Sequence, residues 1–501
     1  MLLSPLSICC LWIGLWSQVV LAQLEKDNPG PLNVTNVTGN PNTTSAEFGP
    51  LRFRDDGTFQ ISVFEDLHFG ENAWDAWGPL QDIQTTRVMN AILDIETPDL
   101  IVLNGDLITG NNAFKANATA YMAAIAAPLV ARNLTWASTY GNHDSDFNLS
   151  RVHLWHKEHE WPNSRTGNMV AGGDQVGVSN YYLPVYGAEC DGRVDTEAMN
   201  GCVPELILWF FDSRGGNRYQ QLDDEGNVVP EECWVDESVV EWFTQTRTEL
   251  ARSYSSSIDK ATSTNTNTTT VIPSLAFVHI PLNASRALQL DSKGVDPNLF
   301  PGINDDFPLA GQGQGWCANG TVGCAYGGQD VPFMEALVAT EGLMGVFSGH
   351  DHGDTWCYNW NTTGLSSDSS SALSTTPMTT PTTTSLNLCF GQHSGYGGYG
   401  SWIRGARQIL ISKIPHRQPL QQQPAQARRQ QQPLDTDDDT VSTAVAAVPS
   451  SAAPSSLLTV DTWIRTEQQT IIGSISLNAT YGQDIYPATP DVETFCLECN
   501  L

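Results

Sequence analysis

Trp136-Ala137-Ser138-Thr139-Tyr140-Gly141-Asn142-His143-Asp144 decides how this chain is read. A short run of buried-strand type passes directly into a Gly turn that carries an amide, an imidazole and a carboxylate. The same order recurs along the chain. Phe59 to Phe64 runs into Glu65-Asp66-Leu67-His68, and Leu100 to Asn104 into Gly105-Asp106. Leu275 to Val278 leads to His279, and Val346 to Ser348 to Gly349-His350-Asp351-His352. In an open α/β sheet, loops beyond the carboxyl ends of strands converge on one crevice, so residues far apart in sequence are expected to meet there.

Outward from these motifs, Leu206 to Asp212 reads as a further strand. Thr85 to Glu96, Ala118 to Ala131 and Asp236 to Leu250 show helical spacing, with Asp236 placed to cap a first-turn amide. Strands alternating with helices predict an α/β core of two sheets faced by helices. Val460 to Arg465 and Thr470 to Leu477 predict a final hairpin, so the core resumes after two low-complexity stretches near 366–385 and 418–456. Those stretches, rich in Ser, Thr, Pro and Gln, bury too little apolar surface to offset their ordering entropy and are expected to be disordered loop insertions.

Carboxylates, an amide carbonyl and imidazoles in one crevice suit divalent or trivalent iron, zinc or manganese rather than calcium alone. Taken singly, Asp66-x-His68 or Gly105-Asp106 reads more readily as a loop pair or a turn. Five pieces that each close a predicted strand carry the metal reading together. A pair of such ions can clamp a phosphoryl group and ionise water. His153, His156 and His159 recur every three residues and predict a solvated helix face, while His393, in a Gly-rich loop, is a lesser candidate for meeting substrate.

Asp66-x-His68, Gly105-Asp106, Gly141-Asn142-His143-Asp144, the lone His279 and Gly349-His350-x-His352 resemble the signature of calcineurin-like metallophosphoesterases. Asn104 to Gly110 and Gly395 to Gly400 make the chain most similar to the extracellular fungal and plant branch related to purple acid phosphatases. The resemblance implies a two-sheet β-sandwich flanked by helices, spanning residues 51–495. It also implies that Asp66, His68 and His352 hold one metal, that Asn142, His279 and His350 hold the other, and that Asp106 bridges them. His143, which the family does not use to hold metal, would protonate the leaving oxygen or stabilise developing charge, with Asp144 holding its ring. The implied reaction is in-line attack by a metal-bridging hydroxide on a phosphoric ester. Purple acid phosphatases carry a Tyr three residues after the bridging Asp, where this chain has Thr109, and they lack a His ligand at the place of His68. An intact two-metal site without the purple chromophore is therefore expected.

Residues 1–22 carry an apolar run ending Val20-Leu21-Ala22 and read as a secretory signal, followed by a flexible, glycosylated lead-in over 23–50. Sequons at Asn33, Asn36, Asn42, Asn117, Asn133, Asn148, Asn267, Asn283, Asn319, Asn361 and Asn478 agree with export and N-glycans. No membrane span is expected after signal removal. Cys190, Cys202, Cys233, Cys317, Cys324, Cys357, Cys389, Cys496 and Cys499 are an odd set for an oxidising compartment, which predicts disulfides and one thiol left over. A formal charge of -31 disfavours nucleic acid and anionic membranes. It favours a small phosphomonoester, with a phosphodiester or nucleotide as the rival substrate. A secreted glycoprotein without catalysis is the alternative from another class.

Overall fold

The structure is a computed structural model and describes residues 49–190, 202–262, 271–313, 326–362, 385–414 and 458–500. The expected signal, the lead-in up to residue 48, residues 366–384 and 418–456 of the low-complexity stretches, and Cys317 with Cys324 lie outside these residues.

The first half holds β1 (Leu51–Arg52), β2 (Thr58–Phe64), β3 (Leu100–Asn104), β4 (Trp136–Thr139), β5 (Tyr181–Tyr186), β6 (Pro204–Phe211) and the small hairpin β7 (Asn217–Leu222) and β8 (Val228–Pro230). The second half adds β9 (Ser274–Val278), β10 (Leu343–Ser348), β11 (Cys357–Asn361), β12 (Ser385–Phe390), β13 (Gly405–Lys413), β14 (Leu458–Thr466) and β15 (Ile471–Ser476). They form a seven-stranded sheet in the order β1-β5-β6-β9-β10-β12-β11 and a six-stranded sheet in the order β15-β14-β13-β2-β3-β4. The parallel strands are β2-β3-β4 at one end of the six-stranded sheet and β6-β9-β10-β12 in the middle of the other.

Alternation along these strands explains the layers. Ile61, Val63, Leu100 and Val102 from one sheet meet Leu206, Leu208, Phe210, Leu275 and Phe277 from the other, so the two sheets pack face to face. The intervening residues point outward. Phe64, Ile101 and Leu103 pack under the helices α1 (Gly78–Leu93), α2 (Tyr121–Ala131) and α3 (Arg151–Glu158). Ile207, Trp209, Phe211, Ala276 and Val278 pack under α4 (Glu237–Thr262) and, past the short α5 (Arg286–Leu290), α6 (Val331–Val338). Strands covered on both faces read as continuous apolar runs, which is why they are visible in the sequence. The result is the expected α/β fold of two sheets with helices on both outer faces.

Asp236 caps α4, accepting the Ser238 amide at 3.0 Å. The final hairpin forms as β14 and β15, antiparallel. Three interior strands are not expected from the sequence, β5, β12 and β13; the last pairs with both β2 and β14. It carries Arg407 and Gln408, both buried, so no apolar run announces it. Arg407 donates to the Phe390 and Thr355 carbonyls and to Thr462. Gln408 accepts from Ser62 and Gln60. Each buried polar group is met, which is the condition for tolerating it in a core. Disulfides join Cys190 to Cys202, Cys357 to Cys389 and Cys496 to Cys499; Cys233 is a buried thiol.

Candidate metal centre

All the motifs leave the carboxyl ends of the parallel strands β2, β3, β4, β9 and β10. The chain turns there so sharply that residues other than Gly take left-handed backbone conformations: φ is 53° at Asp66, 49° at His68, 48° at Asp106 and 76° at His350. Such conformations cost on the order of 1–3 kcal/mol each and persist only where neighbours over-determine them. Here the first two loops bind each other, the Asp66 and His68 amides donating to the Gly105 and Asp106 carbonyls at 3.0 Å. Gly105, at φ 91°, has no room for a Cβ, which would lie 2.4 Å from the His279 ring.

Two groups of donors result, Asp66 with His68 and His352, and Asp106 with His279 and His350. Asp106 Oδ2 lies 3.0 Å from His279 Nε2 and 3.9 Å from His68 Nε2, so this carboxylate touches both groups. Asp66 Oδ1 lies 3.5 Å from His352 Nε2 and 3.8 Å from His279 Nε2. The ring tautomers follow from what the far nitrogens meet. His279 Nδ1 faces the Asn104 carbonyl at 2.8 Å, and His352 Nδ1 faces the Tyr399 carbonyl at 2.8 Å. A carbonyl only accepts, so both Nδ1 atoms carry a proton, and each Nε2 is the nitrogen turned onto the carboxylates, offering a lone pair when its ring is neutral. Among the described residues neither His279 Nε2 nor the buried Asn142 Oδ1 has a hydrogen-bond partner. Imidazole nitrogens crowded against carboxylates and an unpartnered amide oxygen are what a cation would satisfy.

The electrostatics are those of a site held ready for charge. Burial works against ionised Asp106, yet His279 and His143 beside it hold its carboxyl well below the usual range. Burial pulls His279 down, but Asp106 and Asp66 push it up to about 10. Burial and neighbouring imidazoles keep His350 neutral, down to about 4, and hold His68 well below its ordinary value. Glu65 is raised well up by burial and by Asp66, and accepts a bond from Asn104 Nδ2 at 3.0 Å.

His143 is half-buried, its ring 5.0 Å from that of His68 and its amide donating to Asp106 Oδ1 at 2.7 Å. Asp144 does not hold the His143 ring as expected. Its Oδ1 accepts the Leu107 and Ile108 amides at 2.9 and 3.0 Å, and its Oδ2 accepts Gly141 at 2.8 Å, so it ties the two loops together through backbone. Burial and Asp106 raise it to about 7. From the other side the buried Arg151 donates to the Gly141 carbonyl at 2.8 Å and to Glu231 at 2.7 Å.

The other candidates fall outside the cluster. His393 is buried behind it, bonded to the Gly397 carbonyl at 3.0 Å and packed 3.8 Å from the His352 ring, so it does not reach outward to substrate. Asp351 is more than a spacer: it accepts the Ala310 amide at 2.8 Å and fastens a neighbouring loop. His153 and His156 lie on α3 and His159 at its end. Sequence reasoning passes over Tyr399, which stacks on His352 with ring centres 4.0 Å apart and whose carbonyl orients it. Its only signal is the Gly-rich run from Gly395 to Gly400. Thr109 faces His68 Nδ1 at 3.0 Å.

A family model described as calcineurin-like phosphoesterase matches residues 61–257, which include Asp66, His68, Asp106, Asn142 and His143. The chain is 27% identical over 386 residues to the "Probable inactive purple acid phosphatase 29" of Arabidopsis thaliana, covering 74% of this chain and 81% of that protein. It is 27% identical over 346 residues to the Phosphatase DCR2 of Saccharomyces cerevisiae, covering 67% of this chain and 51% of the yeast protein. Among solved structures, a dimetal phosphatase from Danio rerio matches with a TM-score of 0.35 and 14% identity, covering 71% of this chain and 95% of that one.

Proposed function

We infer that this chain, a member of the calcineurin-like phosphoesterase family, is an exported two-metal enzyme that hydrolyses phosphoric esters, with small phosphomonoesters as its preferred substrates. The observation that carries the reading is the pair of Nε2 atoms, from His279 and His352, turned onto Asp106 and Asp66 by carbonyls behind each ring, the nitrogens a cation would take in place of a proton. One ion would lie among Asp66, His68 and His352, the other among Asn142, His279 and His350, with Asp106 shared. Iron, zinc and manganese all suit these donors. Such ions, when bound, neutralise charge on the phosphoryl oxygens and supply an ionised water at moderate pH. His143, half-buried beside His68, would donate a proton to the departing oxygen, a role its nearness to that ring supports. Asp144 and Arg151 hold its loop.

The monoester preference is supported by charge: a chain at -31 repels polyanionic substrates unless a local cation intervenes. Export and glycosylation are supported by the sequons, of which Asn117, Asn133, Asn361 and Asn478 are exposed. Among the described residues no helix is long and apolar enough to cross a membrane.

The word "inactive" in the name of the Arabidopsis relative favours a second reading, a phosphoesterase fold without catalysis. Full-length protein reconstituted with iron, zinc or manganese should release p-nitrophenol from p-nitrophenyl phosphate faster than from its bis ester. A faster bis ester would reverse the substrate preference, and metal uptake without hydrolysis of either would establish the silent reading. A His143→Ala change should lower kcat by about 10²–10⁴-fold with metal content unchanged.

A further inference from the structure

We propose that Glu71 is a positioning residue that fixes the tautomer of His68 through Thr109, and thereby sets the affinity of the Asp66, His68 and His352 group for its cation. The proposal rests on the two-metal reading above. His279 and His352 have carbonyls behind them, but His68 has a hydroxyl, and a hydroxyl can donate as well as accept. Thr109 Oγ1 lies 3.0 Å from His68 Nδ1 and would leave the ring free to take either tautomer.

Glu71 removes that freedom. Its Oε2 lies 3.0 Å from Thr109 Oγ1, and a carboxylate has no proton to give, so the one hydroxyl proton of Thr109 is committed to Glu71. Thr109 then accepts from His68, which must carry its proton on Nδ1. The Nε2 lone pair is left facing His352 Nε2 at 3.1 Å, two acceptors with no proton between them. The same Glu71 oxygen accepts the Gly398 amide at 3.0 Å. Gly398 seals both rings, since a Cβ there would come 2.5 Å from His352 Cε1 and 2.8 Å from His68 Cδ2. One half-buried carboxylate thus holds the imidazole orientation and the loop above it. Partners of this kind behind a metal-binding His change metal affinity by about 10–100-fold when lost.

The test uses chelator-stripped full-length protein titrated with zinc and, in parallel, with cobalt by calorimetry and visible absorption. Wild type is expected to take two ions per chain. Glu71→Gln, whose amide can donate to Thr109 and release its proton toward His68, should weaken one of the two binding events by about 10–100-fold and leave the other unchanged. Thr109→Val should do the same, and Thr109→Ser, which keeps the hydroxyl, should bind as wild type does. Failure of wild type to take two ions would overturn the two-metal reading. Two ions in wild type with unaltered affinities in Glu71→Gln and Thr109→Val would overturn the relay alone, as would a Thr109→Ser variant as weak as Thr109→Val. Thermal unfolding of the stripped variants separates a folding defect from loss at one site.

Discussion

Two buried polar clusters flank β4, and they are opposites. Below the strand, the carboxylate of Glu158 is fully buried and receives five donors: Trp136 Nε1, Ser138 Oγ, Tyr140 OH, Ser164 Oγ and Thr166 Oγ1. Beyond its carboxyl end, Asp106 receives one backbone amide, from His143, and otherwise faces imidazole nitrogens. Both carboxylates are equally dry. The first cluster is complete as it stands, and every donor has an acceptor. The second keeps, among the described residues, an orphaned Asn142 oxygen and imidazole nitrogens set against carboxylates, on backbone strained at four of its residues. A network that satisfies itself stabilises the fold, while one left incomplete at some cost to stability is kept for a ligand.

Breaking the incomplete cluster should have the larger effect, and on function. Asp106→Asn removes the charge shared between both donor groups. Metal uptake measured by elemental analysis should fall, and hydrolysis should drop by more than about 10³-fold. The rise in melting temperature that metal gives the stripped wild type should vanish, because that rise is binding energy linked to the folded state. Breaking the complete cluster should affect stability instead. Glu158→Ala strands several buried donors, each costing about 1–3 kcal/mol unless water enters, so denaturant unfolding should show a loss of about 4 kcal/mol with and without metal. Metal binding to the variant, wherever it remains folded, should be retained. If the two variants gave the same pattern, the contrast between the clusters would be wrong.

The contrast is only half legible in the sequence. Asp66, His68, Asp106, Asn142, His279, His350 and His352 stand out because each follows a continuous apolar run, and strands covered on both faces have no other pattern to show. The fold class follows from the same runs. What the sequence hides is every partner that acts through backbone or through a residue outside a motif. The Tyr399 and Asn104 carbonyls that orient His352 and His279 have no residue-type signature. Asp144 is misread because adjacency to His143 suggests a side-chain contact, whereas its oxygens turn back onto the Gly141, Leu107 and Ile108 amides. β13 is missed for a related reason, since Arg407 and Gln408 look like surface residues until the groups that satisfy them are seen.

Asp82 stands between the two extremes and gives the finest test. This carboxylate on α1 is partly buried, and the Gly70 amide donates to it at 3.0 Å. Burial, aided by Glu71, raises it from 3.8 to about 6 against the pull of that amide. A carboxyl whose folded pKa lies above its unfolded value binds more protons when folded, so its contribution falls as pH rises from about 4 to about 6 and the penalty is complete above that. A rise of that size corresponds to roughly 2–3 kcal/mol, reduced to about 2 kcal/mol for a group that water still reaches. Asp82→Asn keeps an acceptor for Gly70 and removes the charge. In urea unfolding it should gain about 2 kcal/mol over wild type at pH ~7.5 and next to nothing at pH ~3, below the unfolded pKa. An equal gain at both pH values would mean that the charge of Asp82 is not what the fold resists. A loss at the higher pH would place Asp82 with Glu158, as a carboxylate that its surroundings were built to hold ionised.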